Sequence, residues 1–213
     1  MRKIVRIVSC LAIVCFAGSL ALGSDLDSYL TGELAKLERL AMPVSLADHE
    51  ILYPDGSRHA LREKSGKILL VNLWSKGCVP CKAEMKDFSR LQRDLGGERF
   101  EVVALPMEKR SIRSARKILN NWGAENLKPY GNDPQALAGV LYKEGYFTEK
   151  KISFVYPTTY LVSKTGEILA VRKGFLHWDT AEARALLTAL MDDEFSAGEP
   201  PPDPIVLPYP DPD

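Results

Sequence analysis

From Lys67 to Trp74 the chain reads Lys-Ile-Leu-Leu-Val-Asn-Leu-Trp, a nearly continuous apolar run. Such a run predicts a strand covered on both faces of a sheet, since a half-exposed strand would alternate. After a loop over Ser75–Gly77, a helix is predicted from Cys78 onward. Val79-Pro80 suits its first turn, where a missing proline N–H costs nothing. Met85, Phe88, Leu91 and Leu95 mark its buried face until Gly96-Gly97 ends it. Phe100–Leu105 reads as a second buried strand, and Ser111–Asn121 and Pro134–Gly145 read as helices separated by a loop with Pro129, Gly131 and Asn132. Thr158–Val162 and Glu167–Arg172 form a predicted hairpin across Lys164-Thr165-Gly166, and Asp179–Met191 a closing helix. Upstream, a strand pair turns at Asp55-Gly56 and a short polar helix follows over His59–Lys64. Between Asp25 and Ala41, Leu26, Tyr29, Leu30, Leu34, Leu37, Leu40 and Ala41 recur at helical spacing. This predicts an amphipathic helix ending before Pro43, which packs on the domain or spaces it from a membrane. Strand, helix, strand, helices, hairpin, helix is an α/β order.

Both ends of the chain depart from this pattern. Arg2, Lys3 and Arg6 precede an apolar run from Ile7 to Leu22, followed by the small residues of Ala21-Leu22-Gly23. Residues 1–23 are read as a secretory signal; an uncleaved membrane anchor is the alternative, the run being slightly short for a spanning helix. At the other end, residues 192–213 are rich in proline and acid with few apolar groups to repay ordering, and are read as a disordered tail. A solubilising linker and a proline-rich docking segment both fit that composition. The expected organisation is thus a signal or anchor over 1–23, a helix or linker over 24–43, a domain over 44–191 and the tail.

Composition narrows the function. The 213 residues are 46% hydrophobic and 26% charged, which suits one ordinary globular domain with appendages. The formal net charge of zero hides an asymmetry, for everything after Met191 carries seven acids and no base. The body keeps only a mild basic surplus with no clustered stripe, so nucleic acid is not an expected partner. Of four cysteines, Cys10 and Cys15 fall in the apolar leader, leaving Cys78 and Cys81. An exported chain with one CxxC and no other cysteine has no disulfide framework, so the pair is catalytic, metal-binding or a local staple.

A CxxC at a helix N-terminus is reactive because unpaired backbone N–H groups and the helix dipole stabilise a thiolate. Cys78 is the expected nucleophile, and Cys81, one turn deeper, is placed to attack the mixed disulfide. Lys76 and Lys82 add positive charge, or are simply solvated. Zinc would need two more ligands, and His49, His59 and His177 are scattered, so no metal or cofactor is expected.

Two stretches, in order, resemble one family. Val71-Asn72-Leu73-Trp74-Ser75-Lys76-Gly77-Cys78-Val79-Pro80-Cys81-Lys82-Ala83-Glu84-Met85 is similar to the active-site stretch of the periplasmic, often membrane-tethered TlpA/ResA/DsbE group of thioredoxin-like proteins. Tyr156-Pro157-Thr158-Thr159-Tyr160-Leu161-Val162, followed by Thr165-Gly166, is similar to that group's cis-proline strand. With the Gly66-Lys67 lead-in the resemblance spans about residues 44–190. It implies an α/β thioredoxin-like fold: a central mixed sheet flanked by helices, with an extended helical segment before the cis-proline strand. It implies that Pro157 is cis and lies against the CxxC, with Tyr156 offering backbone groups to an extended substrate; a trans proline opening a strand is the plainer alternative. It matches Glu84 to the family's active-site glutamate, a group that can take a proton from Cys81; an exposed acid favoured near a helix N-terminus fits the same spacing.

Three positions depart from the family pattern. Asn72 stands where thioredoxins have a buried aspartate, Gly77 where a tryptophan is usual, and Lys86 where a proline often kinks the helix. The resemblance implies an exported thiol-disulfide oxidoreductase, periplasmic or otherwise outside the cytoplasm, either free or anchored to the inner membrane. As a reductase it would act on disulfides of exported apoproteins, such as apocytochrome c or metal-site assembly proteins, recharged by a membrane thiol donor. A disulfide-donating oxidase, a binding module and a copper-handling protein remain alternatives, although copper-delivery relatives use CxxxC with a distal histidine. A cysteine peroxidase fits less well: Ser75 lies three residues before Cys78, but the proline-rich peroxidase loop is missing. Trp122, Tyr130, Tyr142, Tyr146 and Phe147 make either a binding surface or, more commonly at such spacing, core.

Overall fold

The computed structural model describes residues 26–147 and 154–193; the leader read over 1–23 and all but the first two residues of the tail lie outside them. Six strands and four α-helices follow one another: β1 (Glu50–Leu52), β2 (Arg58–Ala60), β3 (Ile68–Trp74), α1 (Val79–Leu95), β4 (Phe100–Pro106), α2 (Ile112–Asn121), α3 (Pro134–Lys143), β5 (Thr158–Val162), β6 (Ile168–Lys173) and α4 (Ala181–Met191).

All seven residues of β3 are buried, so the strand takes a central place with a layer on each face. It pairs in parallel with β4 and antiparallel with β5, which pairs antiparallel with β6, giving the order β4-β3-β5-β6. Period-two alternation sorts its side chains. Ile68, Leu70 and Trp74 join Met85 and Phe88 of α1, Leu119 of α2 and Leu186 of α4 in one core. Leu69, Val71 and Leu73 join Ile51 of β1, Tyr130, and Leu137 and Leu141 of α3 in the other. The β5–β6 turn needs Gly166, whose φ is +94° and whose missing Cβ would lie 2.8 Å from Cβ of Ala47. Trp122 and Tyr130 are core residues, whereas Tyr142 is exposed.

The helix predicted over Asp25–Ala41 is not formed. The chain makes two short 3-10 turns, Leu26–Tyr29 and Gly32–Lys36, and then runs extended. Two causes are visible. Gly32 adopts φ +55°, which interrupts a right-handed helix. The outer edge of β6 also offers unpaired backbone groups: Glu38 and Val171 exchange hydrogen bonds of 2.7 and 2.8 Å, and Ile168 N donates to Val44 O at 2.8 Å. The apolar residues still bury, with Leu26, Leu34 and Leu37 in the core that holds α4. The segment from residue 26 is therefore integral to the domain rather than a spacer. The polar helix expected over His59–Lys64 is also shorter, because Arg58–Ala60 pairs with β1 and only Leu61–Lys64 turns. Among the described residues no helix is long and apolar enough to cross a membrane.

Leu34→Ala tests this account of the N-terminal segment. Removing a fully buried leucine costs about 2–5 kcal/mol in urea unfolding, whereas a detached spacer would lose under about 0.5 kcal/mol.

Candidate functional site

The C-terminal ends of parallel strands β3 and β4 open at one edge of the sheet, and β5 begins there, with Leu73 opposite Thr158. The loop after β3 turns at Ser75, whose carbonyl accepts from Cys78 N at 3.1 Å, and α1 starts. Cys78 is the N-cap of α1: its Sγ accepts from Cys81 N at 3.1 Å. This fills with sulfur the position that serine or aspartate usually takes, and the same N–H would stabilise a Cys78 thiolate. Cys78 and Cys81 form a disulfide with Cα atoms 5.2 Å apart. Their exposure is unequal. Cys78 is half-buried, while Cys81 lies at 0% in the core beneath the helix. A thiol partner arriving from solvent can reach Cys78; Cys81 can be reached through Cys78.

One turn further, Glu84 is wholly buried, which removes the reading of an exposed acid at the helix start. Its Oε1 accepts from Leu176 N at 2.9 Å and Trp178 Nε1 at 3.3 Å, and its Oε2 from Asn72 Nδ2 at 3.2 Å. One carboxyl thus joins α1, the centre of β3 and the loop between β6 and α4. Burial dominates its acidity, pushing the pKa from about 4.5 to about 8 against those three hydrogen bonds. Near neutrality the group is largely a neutral acid. Asn72 also donates to Thr159 Oγ1 at 2.9 Å, while its buried Oδ1 has no partner among the described residues. A protonated Glu84 fits an amide turned by 180°, with that oxygen accepting the carboxyl O–H. Asp87, three residues on, accepts from Trp178 N at 3.1 Å and pairs with Arg90 at 2.6 Å.

Tyr156 and Pro157 stand at the start of β5, at the same sheet edge, and the peptide bond between them is cis. Pro157 is buried, and its carbonyl accepts from Gly174 N at 2.7 Å. Tyr156 is half-buried; burial and then the charge of Glu108 raise its pKa. Glu108 itself accepts from Ser75 Oγ at 2.8 Å and Lys76 N at 3.2 Å, and pairs with Arg110. It therefore ties the loop after β4 to the loop that presents Cys78. Lys76 and Lys82 are exposed. A Cβ on Gly77 would meet nothing within 4 Å, so the surface beside Cys78 is open there.

Sequence reading located both cysteines, Glu84, Tyr156 and Pro157, and the fold brings them to one end of the sheet. It missed Trp178, Asp87 and Glu108. For Asp87 a signal existed: Glu84 and Asp87 both interrupt the apolar stripe of α1, and an acid in a buried stripe needs a partner. For Glu108 the nearby Arg110 gives no hint of the site, and the partners that tie it there, Ser75 and Lys76, lie more than thirty positions away.

The pattern of the AhpC/TSA family matches residues 44–171. The thioredoxin-like protein YneN of Bacillus subtilis is 26% identical over 120 residues, 56% of this chain and 64% of that protein. The thiol-disulfide oxidoreductase ResA of Oceanobacillus iheyensis is 28% identical over 130 residues, 60% of each. The chain thus spans less than two thirds of these relatives. Among solved structures, a thioredoxin-family thiol:disulfide interchange protein of Chlorobium tepidum superposes with a TM-score of 0.54 at 18% identity, covering 70% of this chain and 97% of that one. The fold is thioredoxin-like.

A raised carboxyl pKa links the site to stability. Between pH 4.5 and 8 the folded chain keeps a proton on Glu84 that the unfolded chain has released, so stability falls as pH rises through that window. The slope from this group is at most about 1.4 kcal/mol per pH unit. Urea unfolding at a series of pH values should show Glu84→Gln, which mimics the neutral acid, losing less stability than wild type from pH 5 to 8.

Proposed function

Because the chain belongs to the AhpC/TSA family and carries a disulfide at the N-terminus of α1, a helix with one buried face, we propose that it is a thiol-disulfide oxidoreductase. The observation that carries the reading is the unequal pair: half-buried Cys78 capping α1 and buried Cys81 one turn below. In the dithiol form, Cys78 thiolate attacks one sulfur of a substrate disulfide; the substrate S–S bond breaks and one substrate thiolate leaves. Cys81 then gives up its proton and attacks Cys78 Sγ in the mixed disulfide. The second substrate thiolate departs, and two electrons have passed to the substrate. Glu84, held on the same helical face, is proposed to take up or return the Cys81 proton, its pKa of about 8 lying close to that of a thiol. Tyr156 and Pro157 are proposed to offer backbone to the extended substrate beside Cys78.

We place the protein outside the cytoplasm, as a reductase of exported apoproteins such as apocytochrome c or metal-site assembly proteins, recharged by a thiol donor at the membrane. Similarity to the thiol-disulfide oxidoreductase ResA and the thioredoxin-like protein YneN supports thiol exchange; the signal-like leader supports export. Peroxide turnover is disfavoured, because Ser75 Oγ donates its one proton to Glu108 rather than facing a peroxide at Cys78.

Two measurements test this. Equilibration in thiol–disulfide buffers should show a reversible two-electron couple near the roughly −270 mV of a reductant rather than the roughly −120 mV of a strong oxidant. Cys78→Ser should abolish exchange, and Cys81→Ser should accumulate a mixed disulfide with substrate. Absence of a reversible couple would leave a binding role instead.

A further inference from the structure

A cavity of about 240 Å³ lies between the β1–β2 pair, the loop after β4 and the segment before α3, and no step of the exchange uses it. Its walls are Arg58 of β2 and Lys109 and Arg110 from the loop after β4. Its floor is built. Leu52 and Gly131 exchange backbone hydrogen bonds of 3.0 and 2.9 Å, an approach that leaves a Cβ on Gly131 only 3.0 Å from Cβ of Leu52. The Asn132 side chain is held at both ends, with Oδ1 2.8 Å from Nε2 of buried His49 and Nδ2 3.2 Å from Met107 Sδ.

Charge decides what the cavity favours. Arg110 pairs with Glu108, but Arg58 and Lys109 have no ion-pair or hydrogen-bond partner shown among the described residues. Asp133 is the one acid in the lining, and its carboxylate is committed to capping α3, accepting from Gln135 N and Ala136 N at 3.0 and 3.4 Å. The lining therefore presents a surplus of positive charge with a polar amide at its base. The volume falls short of the roughly 300–1,000 Å³ of pockets for drug-sized ligands, but it suits one carboxylate side chain with its water.

Position connects the cavity to the chemistry. Trp74 and Pro106 are opposite each other at the ends of parallel β3 and β4, so Lys109 and Arg110 leave the sheet alongside the loop that leads to Cys78. Glu108 joins the two loops through Ser75, Lys76 and Arg110. Arg110 of the lining is thus joined through Glu108 to Lys76, two residues before Cys78.

We propose that this cavity seats an Asp or Glu side chain of the disulfide-bearing substrate, so that the protein acts preferentially on disulfides flanked by acidic residues. The inference rests on the thiol-exchange reading above and names its substrate class. Arg58 and Lys109 are specificity residues that touch the substrate flank, not the reacting sulfurs.

The test uses the reduced protein with three disulfide-linked peptides that differ only in flanking residues, Asp/Glu, Ser/Ala or Lys, and with uncharged hydroxyethyl disulfide as reference. Wild type should reduce the acidic peptide about five- to tenfold faster than the Ser/Ala peptide at low salt, the scale of two exposed charge pairs. The preference should shrink in 0.5 M NaCl and disappear in the double variant Arg58→Ala/Lys109→Ala, while the rate on hydroxyethyl disulfide stays unchanged. Equal rates on all three peptides, or a preference that survives in the double variant, would overturn the cavity's role and leave thiol exchange standing. No reduction of hydroxyethyl disulfide by wild type would instead sink the oxidoreductase reading, and the substrate preference with it.

Discussion

The site depends on one buried carboxyl group. Glu84 sits at the meeting of α1, β3 and the loop before α4, and its two oxygens collect hydrogen bonds from Asn72, Leu176 and Trp178. A polar group taken out of water costs several kcal/mol unless its partners are present, about 2–7 kcal/mol by transfer data. The three donors offset that cost only in one relative placement of helix, strand and loop. The carboxyl therefore fixes the depth and rotation of α1 against the sheet, and with them the position of Cys78 above the surface and Cys81 below it. Asn72 takes part as a donor to the carboxylate or an acceptor from the protonated acid, and not as an acid itself, so a proton exchanged at this contact belongs to Glu84.

Around that centre the chain separates reachability from protection. Cys78 Sγ is bound by the backbone of its own helix and half-open to solvent, while Cys81 is enclosed by the core. Beside Cys78 the surface at Gly77 is open. Glu108 extends the site sideways, tying the Ser75–Lys76 loop to the basic residues after β4. The proposed thiol chemistry and the proposed flank recognition both fall on loops of one sheet scaffold, the arrangement in which loops vary while the scaffold holds.

Much of this was legible in the residues themselves. A continuous apolar run from Ile68 to Trp74 is a buried strand wherever it lies, and Met85, Phe88 and Leu91 mark one helical face by spacing alone. Cys78 and Cys81 pointed to thiol chemistry because a CxxC at a helix N-terminus has backbone N–H groups that stabilise a thiolate, and Tyr156-Pro157 ahead of an apolar strand marked the cis bond through the family resemblance. These are properties of short windows, set by backbone sterics and side-chain period.

The rest was decided by contacts between distant segments. Leu26, Leu34 and Leu37 have helical spacing, yet the chain makes only 3-10 turns there and from Glu38 pairs with the edge of β6, since an unpaired strand edge competes with a helix that Gly32 already weakens. Glu84 reads equally as a surface acid until Leu176 and Trp178, about ninety residues away, close over it. The basic cavity gathers Arg58, Lys109 and Asn132 from three separate parts of the chain. Local pattern determined the central strands and the helices packed on them, and where the sulfurs lie. The folded arrangement alone determined which charges are buried, which remain free and what faces the sulfurs, because desolvation and charge pairing depend on neighbours in space.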